Sequence, residues 1–175
     1  RVASNRLATA MRYCFGYAVS HGKYIRLVLD LEGDRYWAES SSEPIFLKPT
    51  KRLEGEDPNA LTEEQIDRNE RAKEDGLKLI KPASFSKESV IKEVKLKRGV
   101  ELTGVFTSNQ EDVFRTGRAY IHFFPHGFAE PALVYVSQTQ SEDEAPSYTL
   151  VLQPITGKVN RVFGEIEPDR YFGTP

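Results

Sequence analysis

The chain has 175 residues with 24 basic and 26 acidic side chains, which gives a formal net charge of −2 at neutral pH. This balance provides no overall electrostatic attraction to nucleic acid or to an anionic membrane surface. No apolar run approaches the roughly 18 residues of a membrane-spanning helix, and the single cysteine, Cys14, excludes an internal disulfide and a cysteine-rich metal site.

Residues 1–22 have the periodicity of an amphipathic helix. Apolar side chains recur at intervals of three and four residues, which places them on one helical face. The predicted packing face consists of Leu7, Met11, Cys14, Phe15 and Ala18. His21 falls in the last turn, and Gly22 can cap the helix in the left-handed conformation. A helix with one apolar face is unstable alone in water, so we expect it to pack on the segments that follow.

The beginning of this helix suggests that part of it is missing. The chain opens at Arg1 without an initiator methionine, and the apolar face is established within a few residues. We therefore interpret residues 1–22 as the second half of a longer helix whose first half is absent.

Two β-rich runs follow, at residues 24–30 and 35–39, and a short glycine-containing connection joins them. This pattern predicts a β-hairpin. Within it, Trp37 is predicted to anchor the core, because tryptophan is usually highly buried. The alternative is an exposed aromatic residue that binds a partner.

Residues 40–86 differ in character, since serines and prolines alternate with charged residues. Within this segment, Thr62 and Gln65 form a capping-box pattern that predicts a helix from about residue 62 to 75. The body of this helix is almost wholly charged, so we interpret it as a surface excursion. The simplest reading is a solvated face, and the alternative is a helix that docks a partner.

The remainder of the chain is predicted to be β-rich. Strands are expected at residues 90–97, 100–107, 118–124, 132–138, 148–153 and 159–166, with an irregular tail after residue 167. Seven or eight strands in all, with no helix between most of them, argue against a parallel α/β sheet. We therefore predict an α+β fold, with an N-terminal amphipathic α-helix packed on antiparallel β-sheets in one domain, 1–175.

The sequence shows no catalytic, cofactor-binding or metal-binding constellation. His122 and His126 are four residues apart but lie across a strand end and a proline, with no third ligand nearby, so we interpret them as ordinary strand and turn histidines rather than a zinc pair. Cys14 is expected to be a buried small hydrophobe and not a nucleophile. The acidic run at residues 141–144 lacks the ligand spacing of a calcium loop, so a solvated turn is expected there.

Two groups of basic residues form local positive segments that can bind phosphate backbones. They contain Lys92, Lys95, Lys97, Arg98, Arg115 and Arg118. Because the whole chain is slightly acidic, we favour the other interpretation, in which lysines at strand edges prevent edge-to-edge aggregation. Nucleic acid is not an expected partner under this interpretation.

The order of these segments resembles that of type IV pilin-like proteins of the GspH/FimT group, which are minor pseudopilins and minor pilins. The resemblance covers about residues 5–39 and 88–166. It is carried by LATAMRYCFGYAVSHGKYIRLVLDLEGDRYWAE, by RGVELTGVFTS with AYIHFFPHGFAEPALVYV, and by LVLQPITGKVNRV. The sequence departs from the group in lacking the cleavage site and first half of the helix, and in the length of the charged region 40–86.

The resemblance implies a structural role without enzymatic activity and without a cofactor. Such proteins are made as prepilins, processed by a prepilin peptidase, and anchored in the bacterial inner membrane by the N-terminal part of the helix, with the head in the periplasm. They assemble with other pseudopilin subunits into the short pseudopilus of the type II secretion system, often near its tip. The missing helical segment would supply the contact with the inner membrane.

Two other functions remain as alternatives. A FimT-type minor pilin that binds DNA during uptake would use the basic residues named above. An unrelated β-rich ligand-binding domain would instead require a large, enclosed apolar pocket.

Overall fold

The N-terminal helix α1 comprises Val2–His21, in agreement with its apolar periodicity. Gly22 ends it with a φ of 60°, the left-handed conformation that glycine adopts without steric cost. The structure is a computed structural model that describes residues 2–89, 91–139 and 146–172. In this part of the chain, no helix combines the length and the apolar character needed to cross a bilayer.

The first sheet has six antiparallel strands. They are β1 (Tyr24–Asp30), β2 (Arg35–Ser41), β3 (Ser86–Lys87), β4 (Val94–Lys95), β6 (Arg118–Phe124) and β7 (Phe128–Ala129). Their order is β3-β2-β1-β6-β7, and β4 pairs with β2 as well. The predicted hairpin is β1 and β2, which pair from Tyr24 opposite Ser41 to Asp30 opposite Arg35.

The second sheet has four antiparallel strands. They are β5 (Val100–Thr107), β8 (Ala132–Gln138), β9 (Ser147–Leu152) and β10 (Val159–Phe163). Their order is β10-β9-β8-β5. Short connections join β1 to β2, β6 to β7, β8 to β9 and β9 to β10, all antiparallel neighbours, and the predicted α+β class is confirmed.

Three local predictions need correction. The strand expected at residues 90–97 is reduced to β4, because the chain leaves the edge of β2 and turns at Gly99 (φ 86°) into the second sheet; Val90 itself is outside the described residues. The last strand ends at Phe163, because Gly164 (φ 84°) turns away from the ladder. The tail contains a short helix, α3 (Asp169–Phe172), where irregular structure was expected.

The main core lies between α1 and the inner faces of both sheets. Leu7, Met11 and Ala18 are fully buried, and they pack with alternate residues of β1 and β6 such as Leu27 and Ile121. Since side chains alternate across a strand, the other residues of these strands face away from α1. Burying one large aliphatic side chain contributes about 1.5–3 kcal/mol, so this helix face is a major source of stability.

Trp37 is buried, with 4% of its surface exposed, but it does not belong to the core that contains α1. It follows Tyr36 on β2 and therefore lies on the outer face of the first sheet. Its ring is surrounded by the cationic groups of Arg35, Lys87 and Arg118, at 5.2–5.7 Å from the ring centroid. Trp37, which the sequence predicted to anchor the core, is therefore buried in a polar layer on the outer face of the first sheet.

Residues 45–60, which we call the strap, cover this outer face. The strap begins at Ile45, of which 5% is exposed, and contacts β1, β6 and the loop between β5 and β6 through polar side chains. This cover explains why β1 is buried on both faces although only one of them meets α1. The sequence did not indicate that this part of the charged region belongs to the folded head.

Helix α2 (Glu63–Glu74) follows the strap and has no buried residue, as expected for a surface excursion. Its capping box is formed as predicted, with Thr62 and Gln65 each bonding the other's backbone N–H. The returning chain is fixed by Asn69, whose side-chain amide donates to the carbonyl of Ile80 and accepts from its N–H, both at 2.7 Å. Residues 61–80 therefore form an ordered projection from the head.

The contact between α1 and the β9–β10 turn provides a test of the packing. Gly157 has a φ of 67°, and a β-carbon at this position would overlap the ring of Phe15. Gly127 has a φ of 88° and open space around it, which makes it a matched control for backbone strain alone. We expect Gly127→Ala to reduce the free energy of unfolding by about 1–2 kcal/mol, and Gly157→Ala to reduce it by about 1–3 kcal/mol more.

The measurement is urea unfolding of both variants, with and without Phe15→Ala. In the Phe15→Ala background the extra cost of Gly157→Ala should disappear, because the ring that it overlaps is gone. Equal costs of the two glycine substitutions in the wild-type background would contradict the packing.

Candidate functional site

The inward face of α1 is occupied by the core and leaves no reactive group free. Burial raises the pKa of the Cys14 thiol, because the thiolate would lose its solvation. A neutral buried thiol behaves as a small hydrophobe and not as a nucleophile. Phe15 lies at the margin of this face, half-buried against Gly157.

The outward face of α1 is exposed and contains no acidic residue. Val2, Tyr13 and Val19 are large apolar side chains that lie at 46–75% exposure. The rings of Tyr13 and Tyr17 are 6.0 Å apart, and Tyr17 stacks on His21 with centroids 3.9 Å apart. An exposed helical surface of this kind is suited to packing against another helix or sheet.

A second constellation lies between the first sheet and the strap. Arg26, on β1, donates from Nε to Glu39 Oε2 at 2.7 Å, and from Nη1 to Asp57 Oδ1 and to Asn59 Oδ1, both at 2.9 Å. Its guanidinium stacks on the ring of Phe85, 4.0 Å from the centroid. Arg26 therefore connects two strands of the sheet to the strap.

The same layer contains a buried carboxylate, Glu130, which follows β7 and is 1% exposed. Its Oε1 accepts from the backbone N–H of His122 at 3.0 Å and also contacts His122 Nδ1. Its Oε2 lies 2.7 Å from Arg52 Nη2, an ion pair whose angle departs from that of a hydrogen bond. Arg52 also donates to Thr107 Oγ1 at 2.9 Å and so connects the strap to both sheets.

The pKa of Glu130 reflects its charged neighbours. Burial alone would raise this pKa, but the interactions with His122 and Arg52 outweigh burial and hold it below the ordinary value for glutamate. At the far side of the strap, hydrogen bonds from Thr116, and from the backbone of Arg115, lower the pKa of Glu54. Both carboxylates are therefore anionic near neutral pH, and both fix the strap in place.

The structure separates the basic residues that were considered for DNA binding. Lys92, Lys97 and Arg98 are exposed in loops before β5, and Lys95 lies at the edge of the first sheet. Arg115 and Arg118 lie elsewhere, each beside a different aromatic ring.

Arg115 lies near Tyr135 of the second sheet and is neutralised by Glu165 at 3.3 Å. Arg118 lies over Trp37 on the first sheet. Lys95 and Arg118 therefore lie on the first sheet, and Arg115 lies beside the second.

The two histidines that were considered as a metal pair are also separated by their environments. His122 is buried beside Glu130, whereas His126 is exposed and lies against Phe124 at 5.6 Å. Within the described residues, no group of three or more histidine, cysteine, aspartate or glutamate side chains could hold a metal ion. The acidic run 141–144 is outside the described residues.

Sequence reasoning missed the ionic layer, although one signal was present. Arg26 and His122 interrupt strands that are otherwise apolar, at positions directly opposite each other in the β1–β6 register. Buried charges must be paired, so such a pattern indicates that a third segment covers that face. The partners themselves, Arg52 and Asn59, are remote in sequence and carry no local signal.

Comparison with known proteins identifies the fold. No family model matches the sequence, and no curated protein matches it. The structure matches that of the minor pseudopilin EpsH from the type 2 secretion system of Vibrio cholerae, with a TM-score of 0.51 and 10% sequence identity, over 94% of this chain and 97% of that chain. The pilin-like fold that the sequence predicted, a helix on two antiparallel sheets, is thereby confirmed.

Removing one partner of the buried ion pair should cost far more stability than removing one partner of an exposed pair on the same segment. Glu130→Gln leaves Arg52 and His122 without their carboxylate, and we expect a loss of about 3–5 kcal/mol in the free energy of unfolding at pH 7. Glu111→Gln removes the partner of Lys51, an exposed pair, and should cost less than about 1 kcal/mol. Urea unfolding measures both values.

The pH dependence of this difference follows from the lowered pKa of Glu130. The folded chain binds the Glu130 proton less readily than the unfolded chain, so the carboxylate stabilises the fold fully above the ordinary pKa of about 4.3. The stability that the Glu130 carboxylate contributes is lost as pH falls through the lowered pKa of Glu130 in the folded chain. A Glu130→Gln cost that stays constant down to pH 3 would contradict this assignment.

Proposed function

We propose that this chain is a minor pseudopilin, a non-enzymatic subunit of the pseudopilus of a type II secretion system. The observation that carries the proposal is the fold, since a long N-terminal helix packed on two antiparallel sheets matches the solved structure of EpsH over nearly the whole of both chains. The order of segments in the sequence, which resembles the GspH/FimT group, supports it independently.

The buried polar residues hold one segment of the chain on another, which supports a structural role. Arg26, Arg52, His122 and Glu130 bond one another and the strap, so their chemistry is employed in holding one segment on a sheet. This arrangement fixes the strap on the first sheet and leaves the outward face of α1 exposed.

The proposal extends to partners and location. In it, α1 continues upstream into an apolar segment that is held in the bacterial inner membrane, and the head lies in the periplasm. Other pseudopilin subunits contact the outward face of α1, where Val2, Tyr13 and Val19 are exposed. These exposed apolar side chains, and the lack of carboxylates on the helix, support such a contact.

Two measurements on the full-length gene product test the proposal. The coding sequence upstream of Arg1 should contain a run of roughly 20 apolar residues behind a prepilin processing signal. Deletion of the gene in the producing organism should abolish or strongly reduce secretion of proteins through the type II pathway. Normal secretion in the deletion strain would contradict the proposed function.

The contact through α1 has a matched control on the head. Tyr13 and Ile66 are both 46% exposed, and they lie on α1 and α2 respectively. Tyr13→Asp places a charge in the proposed interface and should reduce secretion at least tenfold. Ile66→Asp should leave secretion within twofold of wild type. Thermal unfolding of both purified heads should be unchanged, and normal secretion by Tyr13→Asp would overturn the contact.

The DNA-binding alternative can be separated from this function by a salt titration. Because phosphate contacts release counterions, binding through the basic residues would weaken steeply with salt. We expect no salt-sensitive binding of a short duplex at low ionic strength. Binding that weakens with salt, and that the combined change Lys95→Ala, Lys97→Ala and Arg98→Ala removes, would favour the FimT-type function instead.

A further inference from the structure

His122 is placed so that both of its ring nitrogens face oxygen atoms. Nδ1 contacts Oε1 of Glu130, and Nε2 lies 2.8 Å from Oδ1 of Asn59. A neutral imidazole has one N–H donor and one acceptor nitrogen, so it can satisfy only one of these oxygens. An imidazolium donates to both.

The orientation of the Asn59 amide is fixed by a second donor. Arg26 Nη1 lies 2.9 Å from the same Oδ1 that faces His122, and guanidinium groups only donate hydrogen bonds. Rotating the amide to offer its NH₂ group to His122 would therefore place that group against Arg26. The arginine excludes the arrangement in which a neutral His122 accepts from Asn59.

The charges of the layer lead to the same protonation state. The charged or titratable groups around His122 lie on five segments: its own strand, β1, β2, the strap and the chain after β7. These groups are Tyr120, Arg26, Glu39, Arg52, Asp57 and Glu130. Glu130 is the fully buried carboxylate among them and lies between Arg52 and His122, so a charged His122 gives it a second cationic partner.

We propose that His122 is held as an imidazolium and that its proton fastens the strap to the first sheet, so that loss of the proton in alkaline solution releases the strap. His122 is the member of the layer whose charge can change near neutral pH. Without the second ring proton, Asn59 Oδ1 faces an acceptor nitrogen, or the amide rotates and loses its hydrogen bond from Arg26. Glu130 also loses one of its two cationic partners. Release would expose the outer face of β1 and β6 around Arg26 and His122.

The protonation state can be measured directly, because the chain has only three histidines. Nitrogen NMR of the ¹⁵N-histidine-labelled protein at pH 7 should show protons on both ring nitrogens of His122. The variants His21→Gln and His126→Gln assign the signals, since both of these histidines are exposed. A neutral His122 ring at pH 7 would overturn the proposal.

Release of the strap is measured by hydrogen exchange at two backbone amides. Arg52 N–H bonds the carbonyl of Asn109 at 2.8 Å, and Asn59 N–H bonds Asp57 Oδ1 at 2.8 Å. Between pH 6 and pH 9 their protection, corrected for the intrinsic rate, should fall at least tenfold relative to the amide of Leu27. This fall should persist in the matched control His126→Gln.

Two variants connect the release to the proton. His122→Gln can donate to Asn59 but cannot titrate, so strap protection should become independent of pH. Asn59→Leu keeps His122 and removes one acceptor, so the ring should lose its proton at a lower pH than in wild type. This second variant decides the question if His122→Gln does not fold. Unchanged wild-type protection across the range, a pH-dependent loss in His122→Gln, or an unshifted His122 titration in Asn59→Leu would each overturn the proposal.

Discussion

The constraint on which the structure depends is that one helix face must fill the space between two sheets. Leu7, Met11 and Ala18 are fully buried there, and the inner faces of both sheets close over them. An open sheet cannot cover its own apolar face, so each of the two sheets needs another element packed on it. The helix is thus the common core element, and its position fixes how the two sheets lie relative to each other.

A helix used in this way has an outward face that the head does not cover. On α1 that face contains Val2, Tyr13 and Val19, with no carboxylate nearby on the helix. The same element therefore provides internal stability on one side and leaves large apolar side chains exposed on the other. This exposed side is the surface that we propose for contact with other subunits.

The outer face of the first sheet follows a different physical rule. It is closed by a segment that brings few large apolar residues, so its stability comes from paired charges around Arg26, Glu130 and His122. Buried ion pairs contribute little net stability compared with apolar packing, but breaking one is costly. Such a layer specifies one position for the strap and makes that position sensitive to protonation, which an apolar layer would not.

The sequence by itself determined the elements whose signals are local. The 3.6-residue periodicity of α1, the capping box of α2 and the β-rich runs of β1 and β6 each depend on neighbouring residues, so they predicted the α+β fold. Only the tertiary structure decided that the strap is part of the head, that β4 is two residues long, and that His122 meets Asn59. These contacts join residues far apart in the chain, and their geometry depends on how the sheets pack. Such contacts leave no periodic pattern in the sequence.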